Sequence, residues 1–183
     1  MARFTKPCAA IITVIVVFTL LPAVEAQKAK EKTKGSTVRV GIFDSRALAM
    51  AYYRSEAFKD HMKEMHAKHE KAMAEGDEQL AKKLATEGPA LQELIHKQGF
   101  STWPVDNILD KIKREIPEIA AQADVDVIVS KWNIVYRKPA VKFIDVTDLM
   151  VKPFDPDEAT LTVIKEIQKQ DPVPLEKLKR HQN

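Results

Sequence analysis

The stretch ADVDVIVSKWNIVY, residues 123–136, limits what this chain can fold into more than any other. Val125, Val127 and Val129 fall at alternate positions, which puts three valines on one face of a strand. After a short polar break, Ile134, Val135 and Tyr136 read as a second strand, so the stretch predicts a hairpin. A two-stranded hairpin is marginal in water and needs a third strand or a partner. A third strand is offered far upstream by TVRVGIFDSR, where Val38, Val40 and Ile42 alternate with Thr37, Arg39 and Gly41. Asp44 or Ser45 can then cap a helix. The two segments are expected to meet in space, with the residues between them projecting as an insertion.

That insertion reads as helix. From Arg46 to Met73 there is neither glycine nor proline, and Phe58, Met62, Met65, His69 and Ala72 recur at spacings of four and three. Methionine and histidine make this seam weaker than one of leucine and isoleucine. Punctuation at Gly76, Gly88-Pro89, Gly99 and Trp103-Pro104 divides the next stretch into short helical pieces carrying Leu80, Leu84, Leu91 and Leu94. A firmer amphipathic pattern comes next, with Val105, Ile108, Ile112, Ile116, Ile119 and Ala123 on one side. Pro117 lies within it and is expected to kink it at a cost of about 3 kcal/mol. The two long patterns predict an antiparallel helical arm, on the order of 50 Å long if wholly helical.

The fold expected is therefore α+β. A small sheet head is built from residues 38–45 and 117–152, and a coiled-coil-like arm from residues 46–116. Within the head, RKPAVKFIDVTDLM predicts a turn at Lys138-Pro139, an extended piece through Val141 and Phe143, and a short helix capped by Asp145 or Thr147. Residues 153–183 read as a C-terminal helix bearing Leu161, Ile164 and Ile167, then a loosely held extended tail after Pro172 and Pro174.

The start of the chain reads as an export signal. Arg3 and Lys6 precede an apolar run from Ala9 to Leu21, and Val24-Glu25-Ala26 offers small residues at the two positions a signal peptidase reads. Cleavage is expected after Ala26; a retained anchor is the lesser reading, because spanning a bilayer takes roughly 20 apolar residues. Cys8, the only cysteine, departs with this segment, so disulfides cannot stabilise the exported form. Residues 27–37 read as a basic flexible linker, with weak attraction to an anionic membrane surface as the lesser reading. Net charge is +3 for the whole chain, too little for a nucleic-acid footprint.

The sequence offers little reactive chemistry. His61, His66 and His69 in HMKEMHAKH could be metal ligands only if three or four donors converged. An exposed charged helix is the simpler reading. There is no Gly-Lys-Ser/Thr phosphate loop and no Gly-x-Ser-x-Gly elbow, and acids such as those in DKIKREIPE alternate with lysines as surface pairs. Neither catalysis nor a cofactor is expected. Trp132 is expected to cover the sheet's edge, and Trp103 with Phe100 to pack at a helix start or offer an apolar grip.

VRVGIFDSRALAM, the helical middle and the return ADVDVIVSKWNIVYRKPAVKFIDVTDLMV together resemble the OmpH/Skp-like periplasmic chaperones. The most specific parts are DVDVIV, Tyr136 closing the next strand, and DVTDLM opening a helix; the likeness covers about residues 38–152. The resemblance implies a periplasmic homotrimer whose small sheets join in a common body. Helical arms extend from that body and hold unfolded outer-membrane or other exported proteins without ATP. It implies an oligomer interface at Val40, Ile42, Val127, Val129 and Ile134. Client contacts would fall on Phe58, Met62, Met65, Phe100 and Trp103. A non-catalytic envelope scaffold reusing the same head is the alternative. The chain departs from the family pattern at Gly88-Pro89, at Trp103-Pro104 and in the tail after Lys152.

Overall fold

The computed structural model describes residues 38–178. The signal peptide and linker read over 1–26 and 27–37 lie outside the described residues, as does the end of the tail. Residues 38–183 form a contact unit of their own. The mixed α and β class is as expected: a small sheet with helix over most of the described chain.

The sheet is parallel, and this corrects the expected hairpin. β1 (Val40–Phe43) lies at the centre, with β2 (Val127–Ser130) on one side and β3 (Phe143–Asp145) on the other. Register pairs Val40 with Val127 and Ile42 with Val129, and Val40 with Phe143 on the opposite edge. Ile134, Val135 and Tyr136 do not return beside β2. A single helical turn at Lys131–Asn133 carries the chain past the end of β1 instead, and β3 pairs on β1's far side. Parallel neighbours need such a crossover, which a tight turn cannot supply.

The helices begin where the capping chemistry is right. Asp44 caps α1 (Ser45–Tyr53) by accepting from the Arg46 amide at 3.0 Å. The long helix expected from Arg46 to Met73 is broken at Arg54-Ser55, where Ser55 accepts from the Phe58 amide and starts α2 (Glu56–Glu75). Gly76, at φ +71°, ends α2 in the left-handed conformation that only glycine adopts without cost. Asp77 at once caps α3 (Glu78–Phe100). α2 and α3 pack together and form the hairpin.

The arm is therefore shorter than expected, and its second leg is different. Gly88 and Pro89 do not interrupt α3 but lie inside it, and the 20 residues of α2 reach about 30 Å. Residues 105–116, expected in the arm, belong to the body. Val105, Ile108 and Ile112 are buried there with Phe43 of β1, Leu48 of α1 and Ile119. α4 (Asp106–Leu109) and α5 (Ile116–Ala123) replace the single long helix. Pro117 does not kink anything: it sits in the first turn of α5, where a missing N–H costs no helical bond.

After β3, α6 (Thr147–Val151) adds Met150 to the core, and α7 (Glu158–Gln168) lies along α1. Ile164 of α7 is buried with Ala47, Ala51 and Val151, so this C-terminal helix is part of the body. The extended stretch beyond α7 is also fixed. The Val173 amide donates to the Phe100 carbonyl at 2.8 Å, ahead of a last short helix, α8 (Leu175–Leu178). At the arm's base Gly99 allows the closest approach, since a β-carbon there would stand 2.8 Å from Met50 Cε. Among the described residues no helix is long and apolar enough to cross a membrane.

Candidate functional site

The two faces of the sheet differ. Gly41 and Phe43 of β1 are buried toward the helices, with Ile128 and Ile144 packed against the same core. Strand alternation turns Val40 and Ile42 the other way, and parallel register sets Val127, Val129 and Phe143 beside them. These side chains are only half-buried, and Val127 is 43% exposed. Ile134 leans on the rim of this face, helping Ile42, Phe143, Tyr136 and Arg137 to line a groove of about 330 Å³. Val40, Ile42, Val127, Val129 and Ile134 are thus brought together as one apolar surface.

The carboxyl ends of the three strands meet in a buried charge cluster. Asp44 follows β1 and has no exposed surface; Arg46, two residues on, is 2% exposed. Arg46 grips the carboxylate twice, Nε to Oδ1 at 3.2 Å and Nη2 to Oδ2 at 2.9 Å. Lys131, just after β2, reaches the same Oδ2 at 2.8 Å, and Trp132 Nε1 donates to Oδ1 at 3.3 Å. Thr147, just after β3, accepts the Asp44 amide at 3.0 Å. The guanidinium of Arg46 and the ammonium of Lys131 both lie over the Trp132 ring. Burial alone would push the Asp44 carboxyl up. The hydrogen bonds and charges of Arg46 and Lys131 outweigh it and hold the group below the ordinary carboxylate range.

This cluster locks structure, since both Asp44 oxygens are committed to donors from the protein itself. Arg46 also donates to the carbonyls of Ile167 and Gln170 at 3.0 and 2.9 Å, fastening the end of α7 to the strand ends. Sequence reasoning misses the cluster. Its one signal is Asp44 and Arg46 two apart where an alternating strand meets a helix.

The remaining candidates are scattered. Phe58 is buried between Tyr52 and Tyr53, with ring centroids 5.3 and 4.9 Å away, and has little surface to offer a client. Met62 and Met65 are half-buried along the α2 seam, whereas Phe100 and Trp103 are exposed at the arm's base. His61 and His66 are exposed and His69 is half-buried; among the described residues no three metal-binding side chains converge. Trp132 is held over the charge cluster, as a cover rather than a projecting contact.

The class these features define is a small α+β body with a parallel three-stranded sheet, an apolar sheet face and a short helical hairpin. No family model matches the chain, and neither a curated protein nor a solved structure matches it.

Proposed function

We propose that the chain is an ATP-independent holdase of the periplasm. It assembles as a homotrimer through the open sheet face and receives unfolded outer-membrane or other exported proteins between its arms. The observation that carries this reading is the apolar surface of Val40, Ile42, Val127, Val129 and Ile134. A sheet of three short strands with one face half-covered gains most by packing against its own copies. Phe100 and Trp103 at the base of the arm supply the exposed apolar grip, and Met62 and Met65 supply adaptable contacts when the arm flexes. The charged pairs along α2, such as Lys59–Glu56 and Lys63–Asp60, keep a loaded complex soluble. Neither catalysis nor a cofactor enters this reading.

The test joins assembly to activity. Light scattering of residues 27–183 is expected to give the mass of a trimer, and the same protein is expected to suppress aggregation of several unrelated unfolded outer-membrane proteins. Replacing Val127 and Ile134 with aspartate should dissociate the trimer and abolish suppression together. A stable monomer overturns the assembly, and loss of one property without the other overturns the cage. The shortness of α2 and α3 favours one alternative, a scaffold that uses the same face but binds a single envelope partner. A protein that forms trimers yet protects no unfolded client would be that scaffold.

A further inference from the structure

The segment joining β2 to β3 carries a second surface at the edge of the sheet face. Between residues 131 and 142 the charged residues are Lys131, Arg137, Lys138 and Lys142, with no acid among them. Ile134 is half-buried at the sheet, but its neighbours turn outward: Val135 is fully exposed and Tyr136 is 77% exposed. Val141 is exposed on the other side of Pro139. Lys131 is drawn inward to Asp44, which leaves Arg137, Lys138 and Lys142 as the outer cations.

We infer that residues 135–142 dock the protein on a bilayer surface containing anionic lipid. The combination selects this occupant by charge and polarity together. A second copy of the same segment would bring the same three cations and repel. An acidic peptide would match the charge but leave adjacent Val135 and Tyr136 in water. A bilayer interface supplies both partners, phosphate headgroups for the cations and an acyl boundary for valine and the tyrosine ring. Tyr136 and Arg137 also line the groove beside Ile42 and Ile134, whereas Lys138, Val141 and Lys142 lie outside it.

The experiment is flotation of residues 38–183, which form their own contact unit, with vesicles of phosphatidylcholine alone or mixed with phosphatidylglycerol. Using this unit removes the apolar leader and the basic linker as sources of binding. Binding is expected to the mixed vesicles only, and to weaken as salt is raised. Each of Arg137→Gln, Lys138→Gln and Lys142→Gln should weaken it about fivefold. The double variant Val135→Ser with Tyr136→Ser should weaken it further while leaving all charges in place. Lys138 and Lys142 lie outside the groove, so their variants should leave aggregation suppression unchanged, and unchanged circular dichroism would show every variant folded. Equal binding to neutral vesicles, no binding to the mixed ones, or variants that bind like the parent would overturn the inference. Variants that alter the oligomer's mass without altering vesicle binding would overturn it in favour of a contact between copies.

Discussion

Asp44 is the residue on which the most elements depend, since its carboxylate and amide tie together segments following β1, β2 and β3. Replacing Asp44 with alanine leaves Arg46 buried without its counter-charge and is expected to cost about 3–5 kcal/mol in urea unfolding. Trp132 would report the change directly, because its indole N–H loses its acceptor and its fluorescence shifts. The pH dependence comes from the lowered pKa. Folding then favours the ionised form, so the contribution is fully present above the unfolded value of about 4 and is lost as pH falls through the folded value. Unfolding free energy measured from neutral pH downward should drop below about pH 4 in the parent. In Asp44→Asn, that part of the drop should be absent. None of this is legible from residue types, since Asp44 reads in sequence as an ordinary helix cap. Only the parallel placement of β2 beside β1 shows why Lys131 joins Arg46 there.

Helix boundaries are legible where they depend on local chemistry and illegible where packing decides. Gly76 reads as punctuation, and it is the arm's turn. Gly88-Pro89 looks the same in sequence, yet α3 runs through both, held by its contacts with α2 and α1. The cost of that proline remains in the fold. Pro89→Ala restores a donor to the Ala85 carbonyl and is expected to raise the melting temperature, stabilising by up to about 3 kcal/mol. Gly76→Ala should act in the opposite sense. A β-carbon there meets nothing within 4 Å, so the loss is backbone strain alone, about 1–2 kcal/mol by thermal melting. The pattern from Val105 to Ala123 is apolar on one side, as its spacing predicts, but it is not one helix. Its isoleucines keep a helical period, yet they serve the core of the body: Ile108 lies in α4, Ile112 in the turns between, and Ile116 and Ile119 in α5.

At the scale of the molecule, the pairing of distant strands is legible and their direction is not. Alternating valines define a strand but carry no sign for parallel or antiparallel, and the hairpin expectation rests on the mere adjacency of Ile134–Tyr136. Leu48→Ala, in the body's core, is expected to lower stability by about 2–5 kcal/mol in urea unfolding followed by circular dichroism. The sheet's connectivity also bears on biogenesis. The first bond between β1's flank and β2's flank joins residues 87 apart, and the amide of Asp44 waits for a threonine 103 residues later. A chain synthesised from its amino end exposes its central strand long before either neighbour emerges. The helical hairpin can form alone in the meantime, since its contacts are sequence-local. The arrival of residues 127–147 then closes both edges of the waiting strand, and the end of α7 follows to fasten onto Arg46 beside Asp44. Order of emergence during synthesis, rather than the intrinsic speed of any one element, then sets the moment at which the body becomes protease-resistant.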